Sequence, residues 1–454
     1  MQFETRNPAT GELLAQFDYL RDSQLAKQLI NTDLVAAKWN KTSFTERTTL
    51  IKAVATQLTL QRQSLAETIS LETGKRLSEA FGEVDKCALV CDYYANNAQQ
   101  MLADELITTS AQRSLVTYHP LGIVLAIMPW NYPFWQVFRC LAPALMAGNA
   151  LLLKHAPNVP QCGRAIEKIL LDAGASQGLM TNLFISVEQT SKLIADDRVK
   201  AISFTGSESA GRKIASLAGA HLKKVVLELG GSDPFIVLDD ADMDKTIDAA
   251  MLSRFGNAGQ TCIAAKRFLV VPSRLEEFTA LLLERVTALV PGNPLLSNTT
   301  IAPMARPDIR DKVHQQVEAS IAAGACPLIG CEILTGDGYY YAPSILTNVS
   351  AGMPAFDEEL FGPVAAIIAV KDETDAILQA NATRFGLGAS IWTQDIKKGE
   401  AILAQIDAGT GFVNAMVSSD IHMPFGGIKA SGLGRELGES GIKELCYSKS
   451  IWIN

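Results

Sequence analysis

Hydrophobic residues follow two alternating patterns from about residue 120 onward. Short continuous apolar runs are typical of buried strands, and longer stretches with apolar residues three or four positions apart are typical of helices. The runs predict strands at 123–128, 150–154, 181–186, 201–205, 225–229, 267–271 and 365–370, and helices at 133–147, 160–173, 207–220, 275–289 and 313–323. Strands that alternate with helices in this way predict parallel sheets with helices on both faces, which is the α/β class.

The first hundred residues follow a helical pattern instead. Apolar residues recur there at helical spacing in two sets, Leu25, Leu29 and Ile30 and then Leu50, Val54 and Leu58. Gly74 stands where a helix would end, because glycine readily adopts the conformation that closes a helix. Residues 109–119 alternate between polar and apolar positions, which favours a β-ribbon.

Composition narrows the class of protein. The chain has 454 residues, enough for two or three domains, and 48% of them are apolar, as in an ordinary globular protein. The net charge of −8 argues against nucleic acid or an anionic membrane as a partner. The apolar runs are too short to cross a bilayer, and the first residues lack the apolar stretch of a secretory signal.

The eight cysteines are spread along the chain, unlike those of a disulfide-rich scaffold. Cys326 and Cys331 lie close together without a nearby histidine, so we expect no metal site there or elsewhere. This distribution of thiols is typical of a reduced protein, and we expect a cytoplasmic location.

Cys262 ends the stretch F-G-N-A-G-Q-T-C (255–262), which is rich in small and polar residues. Two interpretations are open on this evidence. Most free cysteines are small buried hydrophobes, whereas a thiol presented by a glycine-containing loop can act as a nucleophile.

Three further segments could carry chemistry. Glu228 lies in a predicted apolar strand, where burial of a carboxylate is costly in free energy. Two interpretations are open: the carboxylate acts as a catalytic base, or it reaches solvent at the end of the strand. Asn131 follows the first predicted strand, at the edge where α/β proteins bind ligands. Its side-chain amide could donate a hydrogen bond to an oxyanion, or the residue could only form a turn. Gly206 and Ser207 lie between a strand and a helix, an arrangement that offers backbone N–H groups to a phosphate.

Together these motifs resemble the aldehyde dehydrogenase superfamily over nearly the whole chain, in order and spacing as well as in sequence. The motifs are N-P-A-T-G-E (7–12), L-E-T-G-K (71–75), P-W-N-Y-P (129–133), F-T-G-S-E-S-A-G (204–211), L-E-L-G-G-S-D-P (227–234), G-Q-T-C (259–262), E-E-L-F-G-P (358–363) and P-F-G-G-I-K-A-S-G-L-G-R (424–435). K-H-A-P-N-V (154–159) and W-Q-V (135–137) further resemble the shorter bacterial and cyanobacterial succinate-semialdehyde dehydrogenases.

The resemblance implies the aldehyde dehydrogenase fold and an NAD(P)-dependent oxidation of an aldehyde. Cys262 would attack the aldehyde carbonyl to form a thiohemiacetal, and Asn131 with the backbone N–H of Cys262 would hold the oxyanion. Loss of a hydride would leave a thioester. Glu228 would activate the water that hydrolyses this thioester, because relatives that pass the acyl group to coenzyme A generally lack this glutamate.

The resemblance also implies a set of cofactor-binding residues. They are Trp130, Lys154, Pro157, Gly206, Ser207, Glu359 and Phe361. Strictly NAD-preferring relatives often carry a glutamate where this chain has Pro157, and that carboxylate would repel a 2′-phosphate. Its absence leaves Lys154 available to pair with the phosphate, so we predict that NADP is preferred and that NAD is the second choice.

Arg139 implies an acidic substrate. Relatives that act on succinate semialdehyde have an arginine at this place, and its planar guanidinium suits a carboxylate. Ser419 would provide a second contact. The resemblance thus implies succinate semialdehyde; lactaldehyde, glycolaldehyde and glutarate semialdehyde are alternatives, and Arg139 could instead lie on an exposed helix face. A non-catalytic use of the fold and a cysteine hydrolase are rival hypotheses, but the motifs for both chemistry and nucleotide binding are present.

The domain organisation follows from the same resemblance. Residues 1–101 and 121–230 would form a Rossmann-like cofactor-binding domain, and 231–430 an α/β catalytic domain. Residues 102–120 and 431–454 would form a small β bridging element that pairs strands across subunits. A homodimer or homotetramer is therefore expected.

Overall fold

The computed structural model describes residues 2–454. The helices are α1 (Asp22–Trp39), α2 (Phe44–Leu60), α3 (Arg62–Thr73), α4 (Leu77–Met101), α5 (Trp135–Met146), α6 (Pro160–Asp172), α7 (Val187–Ala195), α8 (Glu208–Ala220), α9 (Met243–Phe255), α10 (Pro272–Thr287), α11 (Pro307–Ala322), α12 (Pro354–Asp357), α13 (Glu373–Asn381), α14 (Ile396–Leu403) and α15 (Gly438–Glu444). Short 3-10 turns span Gly256–Gly259 and Lys429–Ser431.

The strands are β1 (Gln2–Arg6), β2 (Leu13–Asp18), β3 (Glu105–Leu106), β4 (Arg113–Pro120), β5 (Ile123–Met128), β6 (Ala150–His155), β7 (Met180–Asn182), β8 (Val199–Thr205), β9 (Lys224–Glu228), β10 (Asp233–Val237), β11 (Ala265–Val270), β12 (Cys326–Ile329), β13 (Ser344–Thr347), β14 (Val364–Ala369), β15 (Gly388–Trp392), β16 (Thr410–Val413), β17 (Gly432–Leu433) and β18 (Cys446–Ile453). Each strand predicted from an apolar run is present, although β7 is shorter than predicted. The predicted α/β class is confirmed.

A six-stranded sheet has the order β17-β9-β8-β5-β6-β7 and is parallel except for the pair of β17 with β9. Every residue of β5 is buried, and helices α1, α5, α6 and α8 pack against the sheet. Because the carboxyl ends of parallel strands meet at one edge, residues 129–131, 205–207 and 228–230 lie together there. Three of the predicted chemical motifs are thereby brought to one place.

A second sheet has seven strands in the order β12-β13-β14-β11-β10-β15-β16, again parallel apart from its edge strand β12. Its central strands β10, β11 and β14 are almost wholly buried, which explains the apolar residues that make up most of them. The charged residues Asp233, Lys266 and Arg267 at the start of β10 and β11 are buried as well. Helix α9 packs on β11 and leads directly into the turn that carries Cys262.

A third sheet is antiparallel, with the order β18-β4-β3. Strand β4 covers most of the predicted ribbon, and its pairing with β18 runs from Cys446 opposite Pro120 to Ile453 opposite Arg113. Strand β17 pairs with β9 of the first sheet, and helix α15 packs against both α4 and β18. The predicted domain boundaries stay a prediction.

The prediction of helices throughout the first hundred residues is wrong for residues 2–18. These residues form a hairpin of β1 and β2, held by contacts that are distant in sequence. The Phe17 ring packs 5.1 Å from that of Phe184, and the Thr5 hydroxyl donates to the Asn158 carbonyl (2.9 Å). The predicted helix end at Gly74 is confirmed, because α3 ends at Thr73 and Gly74 has φ of 76°. No helix within residues 2–454 has the length and apolarity needed to cross a membrane.

Candidate active site

Two depressions meet at Cys262. The larger cleft has a volume of about 290 Å³ and is lined by residues that include Lys86, Trp135, Arg139, Ser419 and Phe425. The smaller groove has a volume of about 180 Å³ and is lined by residues that include Trp130, Asn131, Gly206, Ser207, Gln316, Glu359 and Phe361. Cys262 and Gln136 line both. A molecule bound in the cleft and another bound in the groove would therefore meet at this thiol.

The turn before Cys262 is fixed by Arg254, near the end of α9. This arginine is completely buried, and its Nη2 donates to the carbonyl oxygens of Gly259 (2.8 Å) and Gly362 (2.6 Å). Asn257 and Gly259 have φ values of 52° and 72°. A Cβ at position 259 would collide with the Gly362 carbonyl, which explains the glycine. Cys262 thus follows a rigid, hydrogen-bonded turn.

Cys262 is half-buried, and the charges of Arg139, Lys266, Glu228 and Glu359 act on its thiol. Burial raises the pKa of the thiol to about 11, although the positive charges of Arg139 and Lys266 lower it. The Lys266 ammonium donates to the carbonyl oxygen of Cys262 (2.7 Å), which also fixes the backbone at this point. Because a thiol with this pKa is protonated at neutral pH, attack on a carbonyl requires a group that accepts its proton.

The Asn131 side chain is buried and held in one orientation. Its Nδ2 donates to the carbonyl oxygen of Gln260 (2.9 Å), and its Oδ1 accepts a bond from Gln136 Nε2 (3.2 Å). The Asn257 side chain in turn donates to the Asn131 carbonyl (3.0 Å). A primary amide has two N–H groups. The second N–H of Asn131 is thus available to an acceptor near Cys262.

Glu228 ends β9, is buried and lines neither the cleft nor the groove, although its charge acts on Cys262 and Arg139, which do. Neither of its carboxyl oxygens has a hydrogen-bond partner within residues 2–454. Burial raises the pKa of this carboxyl well above its usual range, although Arg139 lowers it, and the Glu436 charge raises it further. A Cβ at Gly426 would lie only 2.8 Å from Glu228 Oε1, so the glycine leaves space next to the carboxyl. An unsatisfied buried carboxyl of this kind is suited to hold a water molecule.

The groove has features that fit a dinucleotide. The rings of Trp130 and Phe361 meet edge to face, with centroids 5.8 Å apart, and form an aromatic wall. Glu359 Oε1 accepts a bond from the Gly231 N–H (3.1 Å), and a Cβ at Gly230 would collide with the same carboxylate. The groove also contains Gln316, whose buried Oε1 has no partner within the described chain. The groove therefore offers a hydrogen-bond acceptor without a partner, two aromatic rings and a carboxylate. These groups together fit a nicotinamide and its ribose.

Gly206 and Ser207 lie at the start of α8, where the strand β8 ends in the groove. The Ser207 hydroxyl accepts a bond from the Ala210 N–H (3.4 Å), so the serine caps the helix. The remaining N–H groups of the first turn are free of helical partners, and the helix dipole favours an anion there. This end of the groove fits a pyrophosphate.

Lys154 and Pro157 lie beyond the residues that line the groove. Lys154 is half-buried on β6, opposite Ile127 of the adjacent β5, and burial lowers its pKa. Pro157 is exposed in the turn that follows β6. Their predicted contact with a 2′-phosphate stays a prediction.

Arg139 lies at the wall of the cleft and is only 2% exposed, so the alternative of an exposed helix face is wrong. Its guanidinium forms an ion pair with Glu436 and lies 4.9 Å from the centre of the Phe425 ring. Ser419 lines the same cleft, as the prediction of a shared substrate contact requires. The contacts of Arg139 and Ser419 with the substrate stay a prediction.

Several residues of the site were not predicted from the sequence. They are Lys86, Gln136, Arg254 and Lys266. Lys86 belongs to α4, in a region where the apolar spacing indicates a helix and no motif stands out. Arg254 and Lys266 flank the predicted Cys262 motif, and this proximity in sequence is the signal that could have drawn attention to them. Their burial is visible only in the structure.

Comparisons with known proteins agree with this geometry. The model of the aldehyde dehydrogenase family matches residues 1–451. The chain is 47% identical to a probable succinate-semialdehyde dehydrogenase (NADP(+)) of Synechocystis sp., with 100% of both chains covered. It is 42% identical to a succinate semialdehyde dehydrogenase (NAD(P)+) of Escherichia coli, covering 98% of this chain and 96% of that one.

A solved structure gives the same result. The succinic semialdehyde dehydrogenase of Streptococcus pyogenes, in complex with NADP+, matches with a TM-score of 0.98 at 38% identity, and 99% of each chain is covered. The resemblance inferred from the motifs, and the fold that it implied, are confirmed. By sequence motifs, fold and site geometry together, this chain belongs to the aldehyde dehydrogenase family.

Proposed function

We propose that this protein oxidises succinate semialdehyde to succinate, with NADP as the preferred cofactor and NAD as the second. As a member of the family it is an NAD(P)-dependent aldehyde dehydrogenase. The observation that carries the proposal is the position of Cys262, where a cleft containing Lys86 and Arg139 meets a groove that fits a dinucleotide. The names of the three relatives described above support the same substrate and cofactor.

The first step forms a covalent bond to the substrate. The Cys262 sulfur bonds to the aldehyde carbon as the thiol proton leaves to a base or to water, and the product is a thiohemiacetal. The negative charge that develops on the substrate oxygen is stabilised by the free N–H of Asn131 and by the backbone N–H of Cys262. Both groups are held by the hydrogen bonds of the rigid turn, so little reorganisation is needed.

The second step oxidises the bound carbon. The cofactor supplies, when bound, an oxidised nicotinamide that accepts a hydride. Trp130 and Phe361 would hold its ring, Glu359 its ribose, and Gly206 and Ser207 the pyrophosphate. Loss of the hydride and of the hydroxyl proton leaves a thioester on Cys262.

The third step releases the acid. Glu228 takes a proton from a water molecule, and the resulting hydroxide attacks the thioester carbon. The C–S bond breaks, the Cys262 thiol is restored and succinate leaves. A water between Glu228 and the thioester would give the carboxyl the hydrogen-bond partner that it lacks.

Replacing Pro157 with glutamate is expected to shift cofactor preference toward NAD. The new carboxylate would repel a 2′-phosphate held near Lys154, and the ratio of kcat/KM for NADP to that for NAD should fall by about tenfold or more. Steady-state kinetics with both nucleotides measure this ratio. Pro157→Gln is the matched control, because it changes size without charge, and an equal shift in both variants would contradict the electrostatic argument.

A panel of aldehydes tests the substrate. Succinate semialdehyde, glutarate semialdehyde, butanal and lactaldehyde would be compared by kcat/KM with each nucleotide. We expect succinate semialdehyde with NADP to give the highest value, because butanal lacks the carboxylate and glutarate semialdehyde is one methylene longer. A higher value for lactaldehyde would replace the proposal with a dehydrogenase of small polar aldehydes.

We also propose that the protein is a cytoplasmic homodimer or homotetramer. Strands β3 and β18 lie at the two edges of the antiparallel sheet, and exposed apolar side chains lie on or next to them. These side chains are Leu106, Ile107, Tyr447, Trp452 and Ile453. An exposed edge strand with apolar side chains favours pairing with another chain.

A further inference from the structure

The larger cleft contains a cation without a partner. Lys86 and Arg139 are the two positively charged residues that line it. Arg139 is ion-paired with Glu436. Lys86 forms no ion pair with any acidic residue of the described chain, and its ammonium donates instead to the neutral Ser419 hydroxyl (2.9 Å). The acidic residues Glu79 and Glu83 line the cleft as well. Lys86 is thus the one cation of the cleft that has no ion-pair partner within residues 2–454.

The acidic neighbours of Lys86 are engaged elsewhere. Glu83 is ion-paired with the buried Lys75 and accepts the backbone N–H bonds of Phe134 (2.8 Å) and Trp135 (3.0 Å). Asp420 accepts two bonds from His422, one from its backbone N–H and one at Nδ1, each 2.8 Å long. Glu79, which also lines the cleft, is ion-paired with Arg76 (2.8 Å) and accepts the Asn257 N–H (3.0 Å). The charges of Glu83 and Asp420 raise the pKa of Lys86, but none of the three carboxylates forms an ion pair with its ammonium.

The positive charge of Lys86 is destabilised by its surroundings. Burial lowers the pKa of Lys86 to about 8, and the nearby positive charge of Arg139 lowers it as well. The ammonium lies 4.2 Å from the centre of the Trp135 ring, which stabilises a cation but cannot neutralise it. A carboxylate bound in the cleft would stabilise the Lys86 charge and offset its repulsion from Arg139.

The Ser419 hydroxyl also has a hydrogen that it can donate to an anion. Its oxygen accepts bonds from Lys86 Nζ (2.9 Å) and from Trp135 Nε1 (3.1 Å). A hydroxyl oxygen has two acceptor positions, so both are taken and the hydroxyl hydrogen must be donated elsewhere. The cleft offers the place for an acceptor of that hydrogen. Lys86 and Ser419 together therefore form a pair of donors for one anionic group.

We propose that Lys86 is a specificity-determining residue, which binds the carboxylate of the aldehyde substrate together with the Ser419 hydroxyl. This inference rests on the proposed function, because it assumes a substrate with a carboxylate. The main ionic contact with the substrate carboxylate would come from Lys86 on α4, because the charge of Arg139 is largely balanced by Glu436. The aldehyde carbon at the other end of a four-carbon substrate would then face Cys262, which lines the same cleft.

The test begins with the unmodified enzyme, in which kcat/KM for succinate semialdehyde is divided by kcat/KM for butanal. The two substrates have the same carbon chain and differ in the carboxylate. A ratio well above one is expected. A ratio at or below one would overturn the proposed function itself, and with it the role of Lys86, before any variant is made.

Lys86→Met then removes the charge while keeping a long unbranched side chain. The ratio should fall by roughly 10–100-fold, which is the size of effect expected from the loss of a charged hydrogen bond. Lys86→Arg should recover part of the ratio, since it restores the charge. Lys52→Met is the matched control, because Lys52 is exposed on α2 and lines neither the cleft nor the groove, and it should leave both substrates unaffected.

A second readout uses a carboxylate ligand that is not itself oxidised. Succinate should inhibit the unmodified enzyme in competition with the aldehyde, and its inhibition constant should rise by a similar factor in Lys86→Met. Circular dichroism verifies the fold, and Lys86→Gln replaces the methionine variant if that variant does not fold. A ratio within twofold of the unmodified enzyme, or an equal loss for butanal, would overturn the role of Lys86 while leaving the proposed function intact.

Discussion

Replacing Cys262 with alanine is expected to lower kcat for aldehyde oxidation by about 10⁴-fold or more, the scale seen when a covalent nucleophile is removed. Cys262 is the only cysteine that lines either the cleft or the groove within residues 2–454. No other thiol can therefore take over the attack on the carbonyl. The formation of NADPH, followed by absorbance with succinate semialdehyde as substrate, measures the loss.

Two measurements make this result specific. Cys326→Ala removes an exposed thiol and should leave kcat unchanged. Calorimetric titration of Cys262→Ala with NADP should give a dissociation constant close to that of the unmodified protein, because the groove residues remain in place. Substantial residual oxidation by the alanine variant would show that another residue forms the covalent bond, or that none is formed.

Replacing Glu228 with glutamine is expected to separate oxidation from hydrolysis. Removal of a general base typically costs about 10²–10⁴-fold, and this loss should fall on steady-state kcat. The first turnover should still produce about one NADPH per active site, because thiohemiacetal formation and hydride loss precede the step that needs Glu228. Stopped-flow absorbance would record the burst, and mass spectrometry would detect the succinyl thioester on Cys262.

The presence or absence of this burst decides the role of Glu228. Glu284→Gln, on the exposed face of α10, is the matched control and should behave like the unmodified enzyme. If Glu228→Gln also loses the first turnover, the carboxylate acts on the Cys262 thiol before oxidation and not on water afterwards. Such a result would reassign Glu228 to the first step.

The pH dependence of hydrolysis follows from the burial of Glu228. Burial raises the pKa of this carboxyl, and only its deprotonated form can act as a base. Hydrolysis of the thioester in the unmodified enzyme should therefore accelerate as pH rises above the range in which an ordinary carboxyl titrates. Glu228→Gln should lose this dependence, since glutamine does not titrate.

Most of the chemistry could be predicted because it lies in short contiguous motifs. The turn that ends at Cys262, the strand that ends at Glu228 and the segment that carries Asn131 each have a local pattern that indicates their structure. The parallel sheet then brings the ends of β5 and β9 together, as the alternation of strands and helices predicts. Motif, strand order and family resemblance therefore agree on the same group of residues.

The contacts that could not be predicted join residues far apart in the chain. The hairpin of residues 2–18 depends on Phe184 and Asn158, and nothing within residues 2–18 or their neighbours indicates those partners. The bond between Lys86 and Ser419 spans 333 positions. Helical spacing around Lys86 specifies only that α4 forms, not which element it packs against.

The sequence by itself determined the α/β class, the nucleophile candidate and the family, because strand and helix periods and contiguous motifs are local properties. Only the tertiary structure decided that Arg139 is paired with Glu436, that Cys262 lies where a cleft and a groove meet, and that Lys86 is left without a counter-ion. The physical reason is that charge compensation and burial are properties of neighbours in space. They are fixed only when helices, sheets and loops from distant parts of the chain pack together.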